Sequence, residues 1–314
     1  MDEQVKVGVL WDEEVEWGRE TPFDDEVVDS TLAAFTSEAR KEDAEFYIAK
    51  FQWYGSGRLD RAFRWTGERW EKVHGVDIHA VFDKFKYTEK TRELKEEIQE
   101  ELCILNDPEL ERLCKDKYMT YRRIPDRVPE TREGTHENIE EMLEEHGEVV
   151  VKPRYAFGGK GIQIIENVEE LDESGEEYVV QRFVDSSGGI PGMVDGTHDL
   201  RAIVINGEVS GAYLRYNPGS RLSNVSQGGE KEHVSLEEFP DDGMEVVGDV
   251  IEEMDEYEPA VYSVDLFYDS EGEPWVVELN SKPGFNFFDD PELERSARKM
   301  MGEIGATLRE LAES

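Results

Sequence analysis

The stretch 262–280 constrains the fold most: YSVDLFYD, a turn SEGE, then PWVVELN. Two apolar-rich runs of strand length around a Gly-containing turn form a hairpin. With the turn centred between Glu271 and Gly272, Asp265 faces Glu278 and Ser263 faces Asn280. Alternation then puts Val264, Leu266, Val277 and Leu279 on the opposite, core-facing side. Directly opposed carboxylates destabilise a sheet, and a cation between them would remove that cost. The oxygen-only set Asp265, Glu278 and Asn280 suits Mg²⁺ or Mn²⁺ and not zinc. Taken alone, the same pattern fits a solvated acidic face. The continuation Asn280-Ser281-Lys282-Pro283-Gly284 favours a site, because solubility does not demand that a strand end in so tight a turn.

Other segments carry complementary chemistry. Val149-Val150-Val151-Lys152-Pro153 reads as a buried strand delivering a lysine, followed by Phe157-Gly158-Gly159-Lys160-Gly161-Ile162. Glycines let backbone N–H groups close on phosphate oxygens, and lysine adds point charge. The spacing is not that of a P-loop; a plain Gly-rich turn is the alternative. Lys117, in Asp116-Lys117-Tyr118, falls on an exposed helix, where a surface ion pair is the bland reading. The strand Val179-Val180-Gln181-Arg182-Phe183-Val184 runs into a Gly-rich stretch, 186–196, and can offer its backbone to an adenine edge. Asp199-Leu200-Arg201, then Arg215, Arg221, Asn224, Gly228 and Gly229, form a cluster suited to oxyanions.

Strand and helix patterns alternate through the first hundred residues: strands at 5–10, 46–49 and 78–82, helices at about 27–40 and 92–102. This predicts a βαβ-type lobe. A helix capped by Asp107, with Pro108 at its first position, is expected to run to about Tyr121. Short acidic helix 137–145 leads into the Lys152 strand, and a last helix capped by Asp290 runs from Pro291 to about Leu311. The expected lobes are 1–105, 106–185 and 186–314.

Composition excludes several classes. With 75 Asp+Glu against 35 Lys+Arg the formal charge is −40, spread along the chain. Such a surface repels nucleic acid and is tolerable where molar salt shortens the Debye length to roughly 3 Å; a halophile's cytoplasm is the expected setting. No run is long and apolar enough for a membrane span, and the start MDEQVKVGVL lacks a secretory pattern. Cys103 and Cys114 have no metal or disulfide spacing, and the lone His198 reads as structural.

Taken in order, Lys117, Lys152, GGKG, QRFV, DLR, SNVSQGG and VDLF…VELNSKPGF resemble the ATP-grasp superfamily over about 105–288. The resemblance is to the branch of ribosomal-protein glutamate ligases and glutathione synthetases, in a halophilic archaeon. It implies an α+β ATP-grasp fold with an N-terminal pre-ATP-grasp lobe. It implies ATP and Mg²⁺ (or Mn²⁺) as cofactors. Lys117, Lys152 and the loop Gly158, Gly159, Lys160, Gly161 would hold the phosphates. Gln181, Arg182, Phe183 and Val184 would hold adenine, and Asp185 the ribose. Asp265, Glu278 and Asn280 would bind metal, and Arg201 and Arg215 would steady the transferring phosphoryl group. Arg221, Asn224, Gly228 and Gly229 would meet substrate. The implied activity is ADP-forming ligation of a carboxylate to an amine through an acyl phosphate. The partners would be an amino acid or peptide, with no nucleic acid and no membrane; a homo-oligomer is compatible. An ATP-grasp phosphotransferase and a non-catalytic nucleotide-binding or assembly protein are the open alternatives.

Overall fold

The computed structural model describes residues 4–12, 17–156, 158–172, 175–216, 230–285 and 290–314. The chain forms two compact units, Met1–Glu109 with Tyr257–Val261 and Lys282–Ser314, and Leu110–Glu256 with Tyr262–Ser281.

Unit 1 is built on a seven-stranded sheet. Its strands are β1 (Val5–Trp11), β2 (Ala44–Lys50), β3 (Tyr54–Gly55), β4 (Arg58–Trp65), β5 (Trp70–Asp77), β6 (Ala80–Asp83) and β7 (Cys103–Leu105). The order is β3-β4-β2-β1-β6-β7, with β5 beside β4. β1 pairs in parallel with β2 and β6, and β6 with β7. The helices α1 (Glu26–Lys41) and α2 (Glu89–Glu101) make the crossovers. Asp25 caps α1 by accepting from the N–H groups of Val27 and Val28, and Thr88 with Thr91 forms a capping box on α2. Central strand β1 is apolar almost throughout because both of its faces are buried.

The antiparallel extension β3–β5 is absent from the sequence reading. Gly55-Ser56-Gly57, too short for a nucleotide fingerprint, is a hairpin turn: Gly55 pairs with Arg58, and Ser56 and Gly57 both have positive φ, 46° and 72°.

Unit 2 carries two sheets. After α3 (Pro108–Lys115) and α4 (Lys117–Arg123), the first sheet holds β8 (Thr131–Glu133), β9 (Val149–Pro153), β10 (Gln163–Ile165) and β11 (Tyr178–Arg182), in the order β10-β9-β11-β8. Helix α5 (His136–His146) buries Ile139 and Met142 against Val149, Val151 and Val180. The second sheet holds β12 (His198–Ile205), β13 (Glu208–Tyr216), β14 (Glu230–Val234), β15 (Val261–Tyr268) and β16 (Pro274–Asn280), in the order β14-β13-β12-β15-β16. It is backed by α6 (Asp241–Met254). The final helix α7 (Pro291–Glu313), capped by Asp290, belongs to unit 1, where it packs against α1.

The single helix expected from Pro108 to Tyr121 is two. Asp116 leaves the helical conformation and caps α4, accepting from the N–H groups of Tyr118 and Met119 at 3.0 and 3.2 Å. An internal cap of this kind ends one helix and starts another.

Candidate active site

The hairpin β15–β16 sets one wall. Asp265 faces Glu278 and Ser263 faces Asn280, in the register read from the sequence. Beyond Asp265 the register slips by one, so that Leu266 pairs with Val276. Val277 is the extra residue of a β-bulge. The expectation that Val277 lies in the core is therefore wrong: Val276 is buried there instead, and Val277 lines the site.

Strand alternation gathers polar groups on the same face of this sheet. On β12, Asp199 and Arg201 are two apart; on β13, Arg215 faces Asp199 and Tyr213 faces Arg201. Arg201 holds Asp265 with two bonds, Nε to Oδ1 at 2.6 Å and Nη2 to Oδ2 at 2.5 Å. Arg215 donates to Asp265 Oδ2 at 2.7 Å and also pairs with Asp199. Arg201 further reaches the Tyr213 hydroxyl at 3.3 Å. Asp265 is thus neutralised by two guanidinium groups of the protein itself. Burial pushes its carboxyl up, but Arg201 and Arg215 outweigh that and hold it below the usual range. Glu278 differs: burial, then the charge of Asp265, raises it, against the pull of Lys117, Arg201 and Lys152. Burial followed by Asp265 likewise raises Asp199.

The other wall comes from the first sheet. Val179 pairs with Lys152 and Gln181 with Val150, so Val150, Lys152 and Gln181 share a face. Lys152, buried to 7 % exposure, donates to Gln181 Oε1 at 2.6 Å, and Gln181 Nε2 donates to Thr131 Oγ1 at 2.8 Å. Lys117, at the first turn of α4, donates to the Ala156 carbonyl. Its position is fixed by Asp116, which caps the helix and also takes a two-pronged bond from Arg154, both at 2.8 Å. Burial pulls Lys117 down, and burial followed by the charge of Lys117 pulls Lys152 down to about 8.

Between these walls lie two adjoining hollows. One is an apolar slot lined by Val150, Ile162, Ile164, Phe183, Phe267 and Val277, with Gln181, Arg182, Val184 and Asp185 at its polar edge. It shares Lys152, Ile162 and Val277 with the second, which adds Lys117, Gly159, Lys160 and Glu278. Gly158, Gly159 and Gly161 all have φ near +70°, a backbone that side chains rarely adopt, which explains the glycine run. The Arg182 N–H is bonded to the Glu130 carbonyl at 2.8 Å and its guanidinium lies 4.6 Å from the Trp275 ring centre. Asp185 closes a turn by accepting from the Ser187 N–H at 3.0 Å.

The residues present fit a magnesium nucleotide. Buried Lys152 and half-buried Lys117 face one glutamate, and the oxygen-only set of Asp265, Glu278 and Asn280 suits a hard cation. Among the described residues Arg215 Nε and Asp199 Oδ1 are buried without a hydrogen-bond partner, as expected of groups that meet a ligand. His198 is structural: it bonds the Gly196 carbonyl through Nδ1 and accepts from the Tyr268 N–H through Nε2 at 3.0 Å. Arg221, Asn224, Gly228 and Gly229 lie outside the described residues. Sequence reasoning missed Asp116, Thr131 and Tyr213, and named Asp199 only as part of the arginine cluster. Of the three missed, only Asp116, an acid just before a basic helix start, left a local signal.

An apolar slot opening onto two lysines and a carboxylate hairpin makes a candidate nucleotide site. The ATP-grasp domain model matches residues 114–284, more than half of the chain, and the chain belongs to that family. Solved structures share its fold. ATP-grasp ligase PsnB, complexed with a minimal precursor, is 14% identical with a TM-score of 0.59, covering 97% of this chain and 98% of its own. The D-cycloserine synthetase DcsG is 15% identical with a TM-score of 0.61, covering 94% and 98%. The D-alanine–D-alanine ligase of Bacillus anthracis, complexed with ATP, is 13% identical with a TM-score of 0.61, covering 98% and 97%. No curated protein matches by sequence.

Proposed function

We propose that this chain is an ATP-dependent carboxylate–amine ligase, forming ADP and acting on an amino acid or peptide. The observation that carries the reading is the shared hollow of Lys117, Lys152 and Glu278, opening from an apolar slot of adenine-binding character. Family membership and the fold shared with ligases that bind ATP, or ADP with Mg, support it.

In this reading adenine would lie in the slot, held by backbone groups near Arg182 and Val184, with Asp185 toward the ribose. Lys117, Lys152 and the 158–161 loop hold the phosphates. Bound Mg²⁺, held by Asp265, Glu278 and Asn280, would neutralise charge on the transferring group. A substrate carboxylate oxygen attacks the γ-phosphorus in line, the bridging bond to the β-phosphate breaks, and ADP leaves. Arg201 and Arg215, already oriented by Asp265 and Asp199, face the oxyanions of the acyl phosphate. An amine nitrogen then attacks the acyl carbon, phosphate departs with the oxygen, and the nitrogen loses its proton to solvent. No protein nucleophile is required; positioning and charge do the work.

The working environment in this reading is a salt-rich cytoplasm; among the described residues no helix is long and apolar enough to cross a membrane. The test is ADP and phosphate release in molar KCl with amino-acid and peptide pools, with hydroxylamine added to trap the acyl phosphate as a hydroxamate. Turnover that needs an amine and yields hydroxamate supports the ligase. ATP consumption with no free phosphate and a phosphorylated hydroxyl product would replace it with a phosphotransferase.

A further inference from the structure

Unit 1 holds a second concentration of positive charge, made by residues the nucleotide site does not use. The loops leaving the carboxyl ends of β1 and β2 carry Trp17 and Trp53, which wall a hollow of about 490 Å³ with Lys50, Arg61, Phe63 and His74. In open sheets with parallel strands, ligands bind outside the carboxyl ends of those strands.

The register explains the crowding of charge. Ile48 faces Phe63, Phe63 faces Lys72, and Arg61 faces His74. Lys50 lies two residues beyond Ile48, so alternation turns it to the same face, toward Arg61. Both cations settle on one ring, Arg61 at 5.1 Å and Lys50 at 6.0 Å from the Trp53 centre, and Lys50 is also 5.3 Å from the Trp17 centre. Like charges brought together across strands are unfavourable, and contact with aromatic faces recovers only part of that.

Acids outnumber bases 75 to 35 in this chain. Even so, among the described residues neither Lys50 nor Arg61 meets a carboxylate. Only Lys72 at the rim does, with Glu20 at 3.5 Å. Stabilising the sheet does not call for two cations without a carboxylate partner beside two indoles in contact, with Trp17 and Trp53 centres 5.2 Å apart and their planes tilted by 57°. An anion with an apolar body satisfies both features: its charge bridges Lys50 and Arg61, and its carbon skeleton lies against Trp17, Trp53 and Phe63.

We propose that this hollow is a binding site for an organic carboxylate, held by Lys50 and Arg61 against the Trp17–Trp53 wall. The inference does not rest on the ligase reading. The carboxylate could belong to a free acid or to an acidic peptide, and the test separates the two.

Full-length protein is titrated calorimetrically with glutarate and with triglutamate, and with glutaramide and inorganic phosphate as controls. The salt is about 0.15 M, where the Debye length is about 8 Å and short contacts survive. Saturable binding of glutarate or triglutamate is expected. It should weaken by about tenfold or more in Lys50→Gln/Arg61→Gln, as the loss of charge-assisted bonds requires. Arg69→Gln, an exposed cation on the neighbouring turn, should bind as wild type. Thermal melts verify that each variant is folded, and the single variants Lys50→Gln and Arg61→Gln repeat the test with smaller losses. Triglutamate much tighter than glutarate identifies a peptide; equal affinities identify a free acid. The proposal is overturned if neither carboxylate saturates, if the double variant binds like wild type, or if glutaramide or phosphate binds as well as glutarate.

Discussion

The two ends of the candidate nucleotide site handle charge in opposite ways. At the arginine end, Asp265 and Asp199 interleave with Arg201 and Arg215, and nearly every charge has a partner at hydrogen-bond distance. At the lysine end, half-buried Lys117 and buried Lys152 lie beside Glu278, and all three are pushed toward neutrality, with Lys152 at about 8. The first is a finished lattice that can aim guanidinium groups with little reorganisation. The second sets two lysines, both pulled down by burial, around one glutamate that burial raises, a cradle suited to a polyanion. Two carboxylates that face each other, Asp265 and Glu278, therefore titrate in opposite directions.

The largest contrast should come from breaking the lattice. Asp265→Asn leaves two buried guanidinium groups short of a counter-charge. Removing one partner of a buried ion pair costs about 3–5 kcal/mol, so the melting temperature should fall on the order of 10 °C. A shift of only a degree or so would mean the lattice is not coupled. Dialysis from molar KCl to about 10 mM salt, where the Debye length is about 30 Å, should lower wild type and variant together, because surface repulsion grows as screening is withdrawn. The gap between them should persist in molar KCl, since buried pairs are screened less. Equal wild-type melting points in the two salts would contradict the halophile reading.

At the lysine end the effect should fall on ligand rather than fold. Lys152→Met should weaken ATP binding at least about tenfold, from the loss of a charge-assisted contact of about 1.5–3 kcal/mol. Unchanged titration curves would remove Lys152 from the site. The apo protein should keep or gain stability at pH 7. The sign follows from the depressed pKa: the unfolded chain holds the Lys152 proton more tightly than the fold does. The ionised form therefore penalises the fold in full below about pH 8, and the penalty fades as pH rises toward the unfolded value.

A smaller signature sharpens the same point. Bound phosphates should return Lys152 to its protonated form, so ATP binding near pH 8–9 should take up a fraction of a proton. Buffer-dependent binding enthalpies measure it. Uptake that survives in Lys152→Met would assign the proton elsewhere.

Much of this site is legible because hydrophobicity fixes it. Val264, Leu266 and Leu279 must face the core, which forces Asp265 against Glu278. The bulge at Val277 is not legible, since one extra apolar residue leaves the pattern equally plausible in either register. Lys152 is announced by the apolar run before it. Asp199 and Tyr213 become partners only when β12 lies between β13 and β15, a neighbour relation no single segment encodes. The extension β3–β5 had a period-2 pattern in Arg58–Trp65, but its charged residues resemble any solvated stretch of so acidic a chain. The break at Asp116 turns on one side chain choosing a cap over a helix interior.

The hairpin itself gives the most direct test. Raised by burial and by Asp265, ionised Glu278 penalises the apo fold above its folded pKa, and the penalty is relieved as pH falls through it. Asp265 works the other way, its contribution being lost as pH falls through its depressed pKa. Glu278→Gln should therefore leave the apo melting temperature at pH 7 equal to or slightly above wild type, while Mg²⁺-dependent ADP release collapses. Melts with and without Mg²⁺–ATP, run beside the ADP-release assay, read both quantities. A Glu278→Gln protein that keeps full ADP release would contradict the metal site drawn on this hairpin, and the ligase reading with it.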